Sequence, residues 1–151
     1  LENAWVNVQK LEITNIDFVQ LDLQTLSLSM NADGTCPFDT VVMNPPFGKN
    51  ASYPKKDLLD DVRWKKYGVP REEPANYAWM SHAIHHLSNK GRAGIVMPRG
   101  TLTSSQGGDG VIRTAFLDDD VIECIIDLPG QLFFNTQIPS CLWFFNKDKS
   151  K

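Results

Sequence analysis

Residues 38–48 read Phe-Asp-Thr-Val-Val-Met-Asn-Pro-Pro-Phe-Gly, a short apolar run that passes without a break into a proline pair and an aromatic residue. The run Phe38–Met43 predicts a strand of the kind buried on both faces, as central strands of parallel sheets are. Pro45 fixes its own φ and biases Asn44 toward extended geometry, and Pro46 does the same to Pro45, so the chain leaves the strand in a preset direction. A proline-stiffened strand exit with a packed Phe is the purely structural reading of such a pair.

Working outward, the flanking segments alternate in type. Leu1 to Leu11 carries Leu1, Ala4, Trp5, Val8 and Leu11 at helical spacing, and Asn15 to Leu23 alternates Ile16, Phe18, Val19, Leu21 and Leu23 with polar residues, predicting a helix and then a strand ending near Asp22. Asn31 to Pro37 is turn chemistry centred on Asp-Gly. Lys49 to Pro74 is polar and aperiodic, which predicts a long surface excursion. Asn76 to Ser88 has a helical stripe of Tyr77, Met80, Ile84 and Leu87, stopped by Asn89-Lys90-Gly91. Arg92 to Pro98 reads as a buried strand, Gly100 to Gly110 as a loop, Val111 to Leu117 as a helix, and Val121 to Leu128 and Ser140 to Asn146 as two further core strands. Strands alternating with helices indicate an α/β domain with a mainly parallel sheet and helices on both faces. Ligands bind such sheets at the carboxyl ends of the strands, which directs attention to the residues after Met43.

Composition narrows the function classes. At 151 residues, with 42% hydrophobic and 22% charged, the chain is expected to form one domain with a real core. A formal charge of −3 argues against gripping nucleic acid by bulk electrostatics, so any such grip is local or borrowed. No apolar run approaches the roughly 20 residues needed to span a bilayer, and no targeting pattern opens the chain, which begins at Leu1. Cys36, Cys124 and Cys141 are odd in number, lack CxxC spacing and have apolar neighbours, which points to buried thiols in a reducing cytoplasm and to no metal cluster.

The turn has chemistry of its own. Neither proline has an N–H to donate, so the Asn44 side-chain oxygen and the Pro45 carbonyl offer two acceptors, enough to hold an amino group. Phe47 adds an aromatic face for a planar base or amide, and Gly48 allows close approach. An exocyclic amine such as adenine N6 has a lone pair delocalised into its ring. Accepting both of its hydrogens steers that nitrogen toward a tetrahedral form with the lone pair aimed at an electrophile, and the reaction implied is in-line methyl transfer from a sulfonium donor.

The string Asn-Pro-Pro-Phe resembles the (D/N/S)PP(Y/F/W) motif of S-adenosylmethionine-dependent amino-methyltransferases. That resemblance implies a class I methyltransferase fold, a doubly wound, Rossmann-like α/β sheet. The segments DDVRWKKYGVP, NYAWMSHAIHHL, GRAGIVMPRGTL, IRTAFLDDDVIECIIDLPGQLF and NTQIPSCLWFFNK resemble the methylase subunit of type I restriction-modification systems, in the N6-adenine DNA methylase family, over about residues 53–151. The opening, LEITNIDFVQLDL followed by FDTVVMNPPFGKN, is more similar to ribosomal-RNA N6-adenine methyltransferases of eukaryotes and archaea. A divergent family member and a recombined chain joined near Gly48 to Tyr53 both fit. By the resemblance, Asn44 and Pro45 hold the target amine, Pro46 shapes the turn, Phe47 stacks on a flipped adenine, and Asp22 with Leu23 meets the cofactor's adenine beside Asn44. The implied cofactor is S-adenosylmethionine. The implied partners are DNA and the specificity and restriction subunits, with RNA also open. The family's glycine-rich cofactor loop would lie upstream of Leu1, and Gly107-Gly108-Asp109-Gly110 does not replace it. The chain is thus expected to be the carboxyl-terminal part of a catalytic domain. Methylation of ribosomal RNA or of a protein glutamine amide stays open beside DNA, as does a binding or assembly module without cofactor affinity.

Lesser signals complete the reading. Lys49, Lys55, Lys56, Arg63, Lys65, Lys66 and Arg71 surround the excursion after the turn, interleaved with Tyr53, Trp64 and Tyr67, and are candidates for phosphate contacts near an extruded nucleotide. Of these, Lys49, Lys55, Lys56 and Arg63 are the foremost. His82, His85 and His86 share one helix at a spacing that suits zinc, but lack a nearby carboxylate or thiol, so partly packed surface histidines are expected. Asp118-Asp119-Asp120 reads as a solvated connection, and Trp64, Trp79, Trp143, Phe133 and Phe134 as core or docking aromatics.

Overall fold

The computed structural model describes residues 38–47, 59–133 and 137–150. The expected first helix, the strand ending near Asp22, the Asp-Gly turn and the stretch around Lys49, Lys55 and Lys56 lie outside the described residues. The described chain forms β1 (Phe38–Met43), α1 (Asn76–His85), β2 (Leu87–Pro98), α2 (Asp109–Asp118), β3 (Ile122–Asp127) and β4 (Ser140–Asn146), with short 3-10 turns at Val62–Trp64, Arg99–Leu102 and Gln106–Gly108. The sheet order is β1-β2-β4-β3. β1 and β2 are parallel, whereas β4 runs antiparallel to both β2 and β3. β1, β2 and β3 therefore share one direction, and their carboxyl ends meet at one edge of the sheet.

The core lies on one face. Ala93, Ile95 and Met97 of β2 alternate inward with Cys141, Trp143 and Phe145 of β4, and Tyr77, Met80 and Ile84 of α1 and Ile112 and Phe116 of α2 pack onto them. Both described helices cover this face; the other expected helix, Leu1 to Leu11, lies outside the described residues. The opposite face shows the consequence: Val42 is 83% exposed. β1 is thus half-covered rather than buried on both faces, with Val41 and Met43 packed against the core. β3 is an edge strand with most residues exposed, and this makes Cys124 an exposed thiol, while Cys141 is buried as expected.

α1 ends earlier and β2 begins earlier than the periodicity suggests, so Asn89-Lys90-Gly91 lies inside β2 rather than stopping a helix. The cause is the pairing with β1. Phe38 pairs with Leu87 and Thr40 with Arg92, an irregular register that takes up extra β2 residues. A Cβ on Gly91 would sit 2.9 Å from the Phe38 carbonyl oxygen, so only glycine fits this crossing.

The described part of the excursion, residues 59–74, is a packed strap with Arg63, Trp64, Tyr67 and Pro70 buried, where a solvated surface loop was expected. Trp64 packs with Ala75, Ala78 and Trp79, so α1 is buried on its outer side as well as toward the sheet. Three polar anchors fix the strap. Asp61 caps the Val62–Trp64 turn by accepting from the Arg63 amide, and it takes Arg63 Nε and Nη2 at 2.8 and 2.6 Å. Burial works against its charge, but Arg63's hydrogen bonds outweigh it and hold Asp61 below the usual carboxylate range. Tyr67 and Lys66 both donate to Asp119 Oδ2, at 2.7 and 2.6 Å, so the carboxylate expected to be solvated is an anchor. Arg71 pairs with Asp109 at 2.8 Å, and its aliphatic stem fills the space that a Cβ on Gly107 would enter.

The remaining Arg63 nitrogen, Nη1, lies 3.0 Å from His82 Nδ1. A guanidinium only donates, so His82 accepts there and carries its proton on Nε2. His86 Nδ1 donates to the His82 carbonyl at 2.8 Å. His82 and His86 are thus buried, not surface-packed, and among the described residues no group of side chains could hold a metal ion. Burial, with the His86 and Arg63 charges nearby, pushes His82 down to about 3, and burial, His86 and Lys147 push His85 to about 4. Among the described residues no helix is long and apolar enough to cross a membrane.

Two outcomes follow for stability. Between pH 6.5 and about 4 the unfolded histidines bind protons that the folded ones refuse, so stability falls as pH drops through that window, by roughly 1.4 kcal/mol per pH unit for a fully buried histidine. Denaturant titrations from pH 7.5 to 5 should show this slope, and His82→Asn, which keeps an acceptor for Arg63 but does not titrate, should reduce it by one histidine's share, leaving that of His85. Gly91→Ala should lower stability by about 1–3 kcal/mol through the forced clash with Phe38, read by the same titration at pH 7.5.

Candidate active site at the carboxyl edge of the sheet

The ladder between β1 and β2 pairs Thr40, Val41, Val42 and Met43 with Arg92, Ala93, Gly94 and Ile95 in unbroken register. The turn Asn44–Phe47 therefore leaves the sheet directly beside the last residues of β2. Pro45 is buried and anchors the corner, while Asn44 and Pro46 are exposed and Phe47 is half-buried. The Asn44 amide has no hydrogen-bond partner among the described residues, so its oxygen stays available to an incoming donor. The expected site residues Asn44, Pro45, Pro46 and Phe47 thus stand together on an open edge. Asp22, Leu23, Lys49, Lys55 and Lys56 lie outside the described residues. Arg63 does not reach a phosphate from here: it is buried in the Asp61–His82 anchor, because its guanidinium is needed to satisfy the cap and the imidazole beneath the strap.

One aromatic neighbour escaped the sequence reading. Phe133, read as a core or docking residue, stands with its ring centroid 6.3 Å from that of Phe47 and the planes at 85°. That edge-to-face arrangement is within the favourable range for aromatic pairs. The connection from β3 to β4 carries Phe133 across the carboxyl edge, and its base is pinned where the Leu128 amide donates to the Ser140 carbonyl at 3.0 Å. The available signal was the placement of Phe133 after the Pro129-Gly130 turn, at the exit of a strand that shares β1's direction.

On the other flank, the Arg99–Leu102 turn follows β2. Thr101 is buried, donates from Oγ1 to the Pro98 carbonyl at 2.8 Å and accepts from Trp143 Nε1 at 3.1 Å. Tyr77 donates to the Thr101 carbonyl at 2.6 Å. Burial raises Tyr77 above its ordinary value even with Arg113 beside it, so the phenol keeps its proton for that bond. Arg113 Nη1 donates to the Ser104 carbonyl at 2.6 Å and to the Tyr77 oxygen at 3.1 Å. Ser104 in turn donates to Asp109 Oδ2 at 2.7 Å, joining this network to the Arg71 anchor of the strap. The edge around the turn is consequently rigid on the β2 side and aromatic on the β3–β4 side. It can hold a flat, amine-bearing group by stacking and by acceptors.

Known proteins resemble this chain in sequence and in fold. A family model described as N-6 DNA Methylase matches residues 6–151, a span that includes residues 48–53, where the two sequence resemblances meet. Over 113 residues the chain is 41% identical to the "Type I restriction enzyme HindI methylase subunit" of Haemophilus influenzae, which covers 75% of this chain and 25% of that protein. A type I restriction-modification system methyltransferase subunit from Streptococcus thermophilus superimposes with a TM-score of 0.68 at 34% identity, over 75% of this chain and 24% of the other. A class I S-adenosylmethionine-dependent methyltransferase structure from Listeria monocytogenes, at 18% identity and a TM-score of 0.56, shows the fold alone, over 77% of this chain and 34% of that one. The chain spans about a quarter of the length of the two type I methylase subunits. The fold is that of class I methyltransferases, and a family match that takes in the turn and every described strand makes this chain a member of the N-6 DNA methylase family, related to type I methylase subunits.

Proposed function

We propose that this chain is the carboxyl-terminal part of the catalytic domain of an N6-adenine DNA methyltransferase. It would work in the cytoplasm beside specificity and restriction subunits; the relatives' names support its being the methylase subunit of a type I restriction-modification system. The observation that carries the reading is the open Asn44 amide, without a hydrogen-bond partner among the described residues, standing with Phe47 and Phe133 at the carboxyl edge. Asn44 and the Pro45 carbonyl accept the two amine hydrogens, and the N6 lone pair turns toward the donor. Phe47 stacks on the extruded base, and Phe133 holds the Phe47 ring in place. S-adenosylmethionine supplies the methyl group as a sulfonium: the new N–C bond forms as the S–C bond breaks, and the amine proton leaves to solvent. On this chain the fitting place is beside Asn44, where β1 has a strand partner on one side only among the described residues, with Asp22 and Leu23 as the further contacts. Lys49, Lys55 and Lys56 would approach the DNA backbone. An acceptor pair and a stacking ring also suit a base in RNA or a glutamine amide, but the relatives' names favour DNA.

The test is methyl transfer to adenine-containing duplexes by the full-length protein carrying this segment. Asn44→Ala and Phe47→Ala should each cut turnover by roughly 100-fold or more, while melting moves little for the exposed Asn44. Phe133→Ala should retain more turnover than Phe47→Ala and raise KM for DNA. Unchanged rates in Asn44→Ala and Phe47→Ala would remove the assignment, and labelled methyl appearing only in RNA or protein would change the acceptor.

A further inference from the structure

Arg99 begins the turn immediately after β2, whose last paired residue, Pro98, lies opposite Ser140. Counted from the Met43–Ile95 pair, Phe47 and Arg99 each stand four residues farther along their chains. Neighbouring strands are about 4.8 Å apart, so the chain after β2 leaves the same edge of the sheet as the turn, and the Arg99 side chain reaches across β4 to Asp127 of β3. The backbone that carries Arg99 is unusually well held. Its own amide donates to the Pro139 carbonyl at 2.8 Å, and the loop beyond it is gripped through Thr101 and Ser104 by Trp143, Tyr77 and Arg113, as described above. Loops built only to connect do not need an indole, a phenol and a guanidinium from three other elements.

What this platform presents outward is the Arg99 guanidinium. It is 58% exposed, and among the described residues its ion-pair partner is Asp127 at 2.9 Å, itself 44% exposed. Asp127 pairs with Cys141, which pairs with Met97, so the carboxylate belongs to the same edge. An ion pair this exposed contributes little to stability, and a phosphate, which takes the planar fork through two oxygens, can replace the carboxylate at small cost. Apart from Lys65 and Lys90, which are exposed on the strap and in β2, and Arg113, which holds the loop from below, the other described cations are tied to partners elsewhere. Arg63 and Arg71 are held by Asp61 and Asp109, and Lys66 by Asp119. Arg92 pairs with Glu123, Lys147 donates to the Leu87 carbonyl and Lys149 pairs with Asp120, all toward the amino ends of β2 and β3.

The geometry points to Arg99 as the residue that takes a backbone phosphate of the nucleic-acid strand next to the base held at Asn44–Phe47, with Asp127 as the counter-ion it gives up. This rests on the methyltransferase reading above and adds a substrate contact to it. Until the strand arrives, Asp127 keeps the guanidinium oriented; when the phosphate displaces it, Asp127 is left beside solvent and repels the strand weakly. The pair thus sets affinity through exchange of one anion for another.

The experiment uses the full-length protein carrying this segment, with a fluorescein-labelled 30-base-pair duplex titrated at several salt concentrations. Arg99→Ala should weaken binding about tenfold across sequences and reduce the slope of log affinity against log salt by about one, whereas Arg99→Lys should keep most of the slope. Asp127→Asn should tighten binding in the native background and have little effect in Arg99→Ala. Unchanged affinity and slope in Arg99→Ala, or equal tightening by Asp127→Asn in both backgrounds, would overturn the proposal. Failure of the parent reading looks different: the unmutated protein would transfer no methyl group to adenine, while the binding titrations would still report on Arg99 directly.

Discussion

The parallel ladder between Thr40–Met43 and Arg92–Ile95 is the constraint on which the rest of the structure depends. It sets where β1 stops relative to β2, and the prolines that follow allow little choice of direction afterwards. A slip of one residue would turn Val41 and Met43 out of the core and Val42 in. It would also carry Asn44 away from the loop that flanks it. The crossing at Gly91 shows how firmly the alignment is held, since the approach of the Phe38 carbonyl leaves no room for a side chain there.

From that ladder the polar network extends in two directions that meet. The strap from Asp61 to Arg71 is tied to α1 through His82 and to α2 through Asp109 and Asp119. The loop after β2 is tied to α1 through Tyr77 and to α2 through Arg113. Ser104 and Asp109 join the two. Buried polar groups of this kind cost free energy unless they are paired, so the network favours one arrangement of strap, loop and helices over near alternatives. Neutral His82 is part of that choice: with a proton on Nδ1 it would face the Arg63 guanidinium with no acceptor to offer.

Much of the fold was legible in the sequence because its signals were local. The strand at Phe38–Met43 kept its predicted bounds, as did Ser140–Asn146, and α2 extended its expected span by two residues at the start and one at the end. What was missed depends on partners distant in sequence. Nothing near Arg63 announces that it will meet His82, nor near Tyr67 that Asp119 will accept its hydrogen bond, so an apparently basic, solvated excursion became a packed strap. Edge position is equally invisible: Val121–Leu128 has the composition of a core strand, yet among the described residues β3 has one neighbour, and Cys124 is exposed. At the candidate site, the turn itself was readable from Asn44-Pro45-Pro46-Phe47, whereas Phe133 was not, because the sheet order brings it there.

The division of labour at the edge follows from charge. A chain of net −3 cannot hold a polyanion by its overall field. Acceptors at Asn44 and Pro45 also repel anions rather than attract them, which suits an amine but not the phosphates on either side of it. A site of this chemistry therefore needs a cation close by that does not intrude on the amine pocket. A side chain on the neighbouring strand, stiffened from below and neutralised by an exchangeable carboxylate until the strand arrives, meets both conditions. A cation within the turn itself would compete with the amine for the acceptors that chemistry by placement requires.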